Sequence, residues 1–150
     1  MEQTLVLLKP DTVQRGLAGA VISRLESRGL KIVAMKMLQM DRGMAARHYE
    51  AHVDKPFFGG LAEFITSRPL IAMVLQGERA VELTRSTMGA TNPVEAAPGT
   101  IRGDLAVEIG RNLIHGSDSV ETAQVEIDLF FSPSEVLDYT REVEPWVREL

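Results

Sequence analysis

The sequence predicts an α+β or α/β domain, and three observations carry that prediction. Apolar runs of strand length alternate along the chain with segments of helical period. Gly, Pro and Asp punctuate the junctions between them. The chain is 150 residues long with 45% hydrophobic and 25% charged residues, the size and balance of one average globular domain. A single unit over residues 1–150 is therefore expected, with no internal repeat and no low-complexity segment.

Thr4 to Leu8 is an uninterrupted run that reads as a strand buried on both faces, cut off by Lys9-Pro10-Asp11. Val13, Leu17, Val21 and Leu25 then recur at i, i+4 spacing with Arg15, Arg24 and Glu26 off the stripe, which predicts an amphipathic helix stopped by Gly29. Lys31 to Met40, rich in β-branched residues and Met, predicts a second strand closed by Asp41-Arg42-Gly43. Helical patterns follow over 45–53 and 61–66, separated by Asp54-Lys55-Pro56 and ended by Pro69. Leu70 to Leu75 predicts a third strand stopped at Gly77, and Ala80 to Met88 a helix. From Gly89 to Arg111 periodicity lapses among Pro93, Pro98, Gly99 and Gly103, and so long an irregular run inside a domain points to function. Asn112 to His115 predicts a short strand. Ser119 to Ile127 predicts a helix capped by Asp118 or Ser119, with Glu121 placed for a capping box in the first case. A last short helix is expected over Glu135 to Tyr139, then an extended segment holding Trp146.

Composition removes whole classes of function. Cysteine is absent, which excludes disulfide frameworks, thiolate zinc sites, iron–sulfur clusters and cysteine nucleophiles. The 16 Lys and Arg against 21 Asp and Glu give a net charge of −5, the wrong sign for a protein that coats nucleic acid, so no nucleic-acid partner is expected. The N-terminus is acidic, and the apolar run from Leu5 to Leu8 is too short for a signal or a membrane span. A soluble, cytoplasmic protein is the expectation.

Several familiar catalytic signatures are missing: there is no G-x-x-x-x-G-K-S/T phosphate loop, G-x-G-x-x-G turn, G-x-S-x-G elbow or H-E-x-x-H pair. His48 and His52 stand at i, i+4 on a predicted helix, a spacing that suits one metal ion, with Glu50 and Asp54 nearby. No protein-held metal is expected from them, because the glutamate is not where metalloproteases place it and histidine is common on half-exposed helix faces.

His115 is the stronger candidate. In Asn112-Leu113-Ile114-His115-Gly116-Ser117-Asp118-Ser119, two apolar residues lead in and Gly116 is expected to leave space beside the imidazole. The small polar run opens the next helix, where free N–H groups favour an anion. A histidine there can attack phosphorus if one ring nitrogen is unprotonated and the ring is held still; an acceptor on the other nitrogen does both. Glu126 is the candidate acceptor. Ser117 is disfavoured as a nucleophile, since side chains so close in sequence to His115 rarely face it usefully. Phosphoryl transfer also needs cations on the phosphate oxygens, and Lys9, Arg85 and Arg102 are of the right kind. In Pro56-Phe57-Phe58-Gly59-Gly60 one ring is available to stack on a base.

Taken together these segments resemble nucleoside diphosphate kinase. The resemblance rests on the octapeptide Asn112 to Ser119 with Lys9-Pro10-Asp11, Pro56-Phe57-Phe58, Thr91-Asn92-Pro93 and Pro98-Gly99-Thr100-Ile101-Arg102-Gly103-Asp104, in the same order and with consistent spacing from Thr4 to Phe131. It implies a ferredoxin-like α/β sandwich, a four-stranded antiparallel sheet covered by helices, with a helical insertion and a long loop before the active-site strand. It further implies a ping-pong reaction: a nucleoside triphosphate gives its γ-phosphate to a histidine and a nucleoside diphosphate takes it, with broad base and sugar tolerance. Residue by residue, it makes His115 the phosphorylated histidine and Glu126 the glutamate that orients it. Lys9, Tyr49, Arg85, Thr91, Arg102 and Asn112 match residues that hold phosphates, sugar hydroxyl or the catalytic ring. Phe57 matches the aromatic that stacks on the base, with Leu61 and Ile109 beside it, and Ser117 the serine that supports the histidine loop. Ile109 stands where valine is common, a one-methylene change. Mg²⁺ is implied as an ion carried mainly on the substrate phosphates. A homo-oligomer, hexamer or tetramer, is implied as well, Trp146 resembling the longer-tailed hexameric members. A non-catalytic nucleotide-binding regulatory module of the same fold is the competing expectation; the histidine, the glutamate and three cations argue against it, since a sensor needs no nucleophile.

Overall fold

Alternation along the first strand explains the architecture. In the computed structural model, which describes residues 1–150, β1 (Glu2–Leu8) sends Leu5 and Leu7 into one apolar cluster with Val74, Ile127 and Phe130, and Val6 and Leu8 into another with Val21, Leu25 and Met73. Both faces are covered, so its sequence is continuously apolar rather than alternating. Each fully buried Leu contributes on the order of 1.5–3 kcal/mol relative to exposure. β2 (Lys31–Leu38), β3 (Leu70–Gly77) and β4 (Ile114–Gly116) complete one antiparallel sheet of four strands in the order β2-β3-β1-β4.

The two crossover helices, α2 (Ala18–Ser27) and α5 (Ala80–Met88), lie on one face with α6 (Ile101–Leu105). This is the ferredoxin-like β-α-β-β-α-β arrangement. The other face is covered by α3 (Arg42–His48) and α4 (Phe58–Thr66), which form the helical insertion, and by α7 (Val120–Phe130).

Several element boundaries differ from the sequence reading, each for a local reason. The predicted helix through Val13 and Leu25 is two helices, because Pro10 opens a separate α1 (Pro10–Gln14) and Gly16 takes a positive φ of 67°. β2 stops at Leu38, short of Met40. α3 starts at Arg42 because the Asp41 side chain accepts from the Met44 N–H at 2.8 Å, and it ends at His48, where a 3₁₀ turn over Glu50–His52 replaces the expected continuation to Val53. α4 begins at Phe58 rather than Leu61. The irregular stretch holds 3₁₀ turns at Pro93–Glu95 and Ile109–Arg111 as well as α6. β4 starts two residues later than expected and ends one later, at Gly116, because Leu113 has a φ of 74° and cannot extend. Ser119 caps α7, its Oγ accepting from the Thr122 N–H at 3.0 Å, so no capping box involves Glu121.

The predicted helix over Glu135 to Tyr139 does not form. A 3₁₀ turn at Pro133–Glu135 leads into a stretch along the free edge of β2, where the Leu137 N–H donates to the Val33 carbonyl at 2.9 Å and the Tyr139 hydroxyl to the Ile32 carbonyl. Edge carbonyls outcompete a helix of one turn, whose nucleation is unfavourable. Trp146 sits in the short α8 (Glu144–Val147) rather than in an extended segment, and is 89% exposed. No helix is long and apolar enough to cross a membrane.

Candidate active site

β4 pairs only with β1, placing Ile114 opposite Leu8, His115 opposite Leu7 and Gly116 opposite Val6. His115 therefore shares the face of Leu7, toward α3 and α7. The residue two positions earlier, Leu113, is fully buried in the left-handed region, a conformation that costs a non-glycine about 1–3 kcal/mol. Three hydrogen bonds hold it there: its N–H donates to Asp11 Oδ2 at 3.0 Å, and its carbonyl accepts from the Lys9 N–H at 2.9 Å and Thr12 Oγ1 at 2.6 Å. The Lys9-Pro10-Asp11 segment is thus a clamp on the histidine loop as well as a strand end. Gly116 serves closeness rather than space: a Cβ there would meet Met88 Sδ at 2.6 Å.

His115 Nε2 lies 2.9 Å from Glu126 Oε2, so the expected pairing forms and Nδ1 is the nitrogen left free. Ser117 Oγ donates to the other Glu126 oxygen at 2.7 Å while accepting from the Leu5 N–H at 3.2 Å. Ser117 is thus a support for the glutamate. Burial pushes the Glu126 carboxyl up, but hydrogen bonds from His115 and Ser117 and the nearby imidazoles outweigh it and leave it below the ordinary range. The His48 ring meets His115 edge on, centres 4.8 Å apart, and burial foremost holds its pKa down to about 3, so it is neutral. Tyr49 packs on His48 at 4.7 Å, its hydroxyl pushed up to about 12 by burial and then by Glu126.

In front of His115 opens a cleft of about 260 Å³, lined among others by Lys9, Arg85, Thr91, Arg102, Asn112 and Asp118. Lys9 Nζ donates to Asn112 Oδ1 at 2.7 Å, and Asn112 Nδ2 to the Thr91 carbonyl at 2.9 Å. Arg85 donates to the Gly116 carbonyl at 3.0 Å. Arg102 is threaded between three backbone carbonyls, those of Asn112 at 3.2 Å, Gly89 at 3.0 Å and Ile114 at 2.6 Å. Its helix, α6, is seated by Thr100, whose Oγ1 accepts from the Gly103 N–H at 3.0 Å, and by Gly103, where a Cβ would strike the Ala97 carbonyl oxygen at 2.0 Å. Burial and then Arg102 pull Lys9 down to about 8, and burial and then Arg85 pull Arg102 down to about 10. Cations that depress one another in a shared cleft mark a site built for an anion.

The remaining candidates lie around this centre. Phe57, 52% exposed, and Leu61 line a neighbouring hollow with Phe64, Gly110 and Arg111. Ile109, 58% exposed, sits on the adjoining 3₁₀ turn. Tyr49 stands behind His48 rather than on the cleft wall. His52 and His48 do not converge, because the chain turns at Tyr49 and carries His52 against the Phe57 ring at 5.4 Å. A separate hollow of about 310 Å³ between Lys31, Gln76 and Arg141, at the opposite end of the sheet, holds no nucleophile. Sequence reasoning missed the clamp on Leu113, for which a leucine gives no signal, and the place of His48 beside the His115 ring.

A family model described as nucleoside diphosphate kinase matches residues 2–136. The nucleoside diphosphate kinase of Synechococcus elongatus is 55% identical over 149 residues, 99% of this chain and 100% of that protein. That of Archaeoglobus fulgidus is also 55% identical, covering 99% of each chain. Among solved structures, a nucleoside diphosphate kinase family protein from Babesia bovis superposes with a TM-score of 0.96 at 42% identity, over 99% of this chain and 100% of that one. A halophilic nucleoside diphosphate kinase from Halobacterium salinarum, in complex with CDP, superposes with a TM-score of 0.96 at 50% identity over 99% of both chains.

Proposed function

Because this chain belongs to the nucleoside diphosphate kinase family and is an enzyme of phosphoryl transfer between nucleotides, we propose that it works through a phosphohistidine on His115, in two half-reactions, with residues 1–150 acting as one such domain. The carrying observation is the contact of His115 Nε2 with Glu126 at 2.9 Å, which leaves Nδ1 as the free nitrogen of a ring that lines the same cleft as the three cations. Glu126 keeps the proton on Nε2, so the Nδ1 lone pair attacks the γ-phosphorus in line. The Nδ1–P bond forms, the bond to the β,γ-bridging oxygen breaks, and the diphosphate leaves. A terminal oxygen of a second nucleoside diphosphate then attacks the phosphorus and the P–N bond breaks, restoring the lone pair. Lys9, Arg85 and Arg102 bear the charge that shifts among the phosphate oxygens, and removing one such preorganised donor costs a reaction of this kind on the order of 3 kcal/mol. Asn112 and Thr91 hold Lys9 in line, Tyr49 backs the catalytic pair through His48, and Ser117 fixes Glu126.

Phe57, with Leu61 and Ile109, supplies an apolar rim on which a base can stack with no partner reading its edge, so purines and pyrimidines are both substrates. Mg²⁺ fits only as an ion that arrives with the phosphates. Both Glu126 oxygens are already engaged, and Asp118 is the other carboxylate on the lining, too few oxygens for a six-coordinate cage. Asp118 is the side chain that would hold such an ion, which neutralises phosphate charge when bound. The same reading makes the protein a cytoplasmic homo-oligomer, a hexamer or tetramer, with no nucleic-acid partner. Exposed Met35 and Met37 on one face of β2, and Trp146 in the tail, are apolar surface that further copies would cover.

The test is labelling with γ-labelled ATP and Mg²⁺. Acid-labile, base-stable label is expected on the protein, chased off by a nucleoside diphosphate and absent from His115→Ala; label persisting in that variant would overturn the assignment.

A further inference from the structure

His48 touches the His115 ring yet has no direct role in phosphoryl transfer. Its side chain is 2% exposed, and its Nδ1 is buried without a hydrogen-bond partner. That nitrogen lies 3.7 Å from Glu126 Oε2, the same oxygen that lies 2.9 Å from His115 Nε2. All three donor atoms fall within 4.8 Å of one another. Two imidazoles and a carboxylate are a donor set that binds Zn²⁺ in catalytic centres. Bonds of about 2.0–2.2 Å in a tetrahedron put such donors about 3.3 Å apart. The two histidine–carboxylate separations already bracket that value, and the donor atoms of the two rings lie within 4.8 Å of each other.

We propose that His48, Glu126 and His115 form a regulatory site for a borderline transition-metal ion such as Zn²⁺, and that its occupancy switches phosphoryl transfer off. The proposal rests on the reading that Nδ1 of His115 is the nucleophile. In the active ring the proton is on Nε2 and the lone pair on Nδ1. An ion bound at Nε2 takes that lone-pair position, so the single proton of the neutral ring resides on Nδ1, the atom that has to attack. Three bonds to the ion form, from His115 Nε2, His48 Nδ1 and a Glu126 oxygen, in exchange for water on the ion; the N–H···O bond to Glu126 breaks, and the His115 ring keeps its one proton, now on Nδ1. Mg²⁺ prefers oxygen donors in octahedral array, so the ion that accompanies the substrate does not throw this switch. The i, i+4 partner suggested by spacing, His52, takes no part.

Co²⁺ and Zn²⁺ are the probes, used on the whole chain with Mg²⁺ present. Co²⁺ is expected to bind once per chain with the strong visible absorption of a four-coordinate ion, to be displaced by Zn²⁺, and buffered Zn²⁺ is expected to suppress labelling by γ-labelled ATP. His48→Phe and His48→Gln, each compared with its own metal-free rate, should weaken Co²⁺ binding and Zn²⁺ inhibition tenfold or more, whereas His52→Ala should leave metal affinity unchanged. Two results would overturn the proposal: absence of the Co²⁺ band in the wild type, or equal metal affinity in both His48 variants. If the wild type labels and His115→Ala does not, either result removes the metal site alone. Metal-saturated enzyme that still accepts phosphate would overturn the switch, while the labelling of the wild type and of His115→Ala tests the His115 reading separately.

Discussion

Lys9 carries a proton that this site makes easy to lose. Its pKa, held at about 8 by burial and then by Arg102, means that the free enzyme sheds the charge as pH rises through that value. A bound phosphate favours the charged form and restores it. The expected profile is a kcat/KM that declines above about pH 8 while kcat at saturation persists to higher pH, with Lys9→Arg moving the decline upward; pH–rate profiles of both proteins check this, and an unmoved decline would assign it to another group. His48 acts on stability. Its folded pKa of about 3 lies below the ordinary 6.5, so between those values the unfolded chain binds a proton that the folded chain refuses. Stability is full above 6.5 and drains as pH falls toward 3. In urea titrations at pH 7 and about 5, His48→Phe should lose less stability between the two than the wild type. His115 stands out because its own octapeptide is unusual, and its pairing with Glu126 is anticipated from the need for an acceptor on the second ring nitrogen, although nothing local to Glu126 marks it. His48 is not legible, because its spacing to His52 imitates a ligand pair while its real neighbours come from β4 and α7.

At the level of elements, the site depends on close approaches that leave no room for a methyl group. Gly116→Ala would drive a Cβ to 2.6 Å from Met88 Sδ on α5, an overpacking expected to cost about 1–3 kcal/mol. Met88→Ala in the same chain should return part of it, and denaturation midpoints of the single and double variants measure the rescue. Asp11→Ala removes the acceptor of the Leu113 N–H. A loss of about 1–3 kcal/mol is expected, together with a lower rate of His115 labelling at saturating ATP, because β4 then enters the sheet without its clamp. Strands and most helices are legible from periodicity, α5 to the residue. The break between α1 and α2 is hidden because the apolar spacing runs on through Gly16, and the tail defies its helical pattern because its partner is the distant edge of β2.

For the molecule as a whole, a net charge of −5 coexists with a cleft that gathers three of the chain's cations. A net negative chain disfavours polynucleotides, whereas three converging cations suit a single, multiply charged phosphate. Comparable kcat/KM for adenine, guanine, cytosine and uracil diphosphates is expected from a rim that stacks without reading edges. A preference of about a hundredfold for one base in steady-state assays would show a hydrogen-bonding reader. The order of elements is legible along the chain; the order of strands is not, since β1 pairs with β3 and β4, both far away in sequence, and no local pattern encodes such choices.

β4 contributes three residues to the sheet and pairs with β1 alone. Strand side chains alternate with a period of two, so a slip of one position exchanges every face. Ile114 or Gly116 would then stand opposite Leu7, and the imidazole would turn into the apolar layer around Val21 and Met73. The sheet would close with His115 shut inside it. On the proposed reading, one residue gained or lost between Leu113 and His115 is therefore expected to abolish activity, whereas the same change at the exposed turn near Ser132 shifts only the tail. The reading frame of the chemistry is narrower than that of the fold.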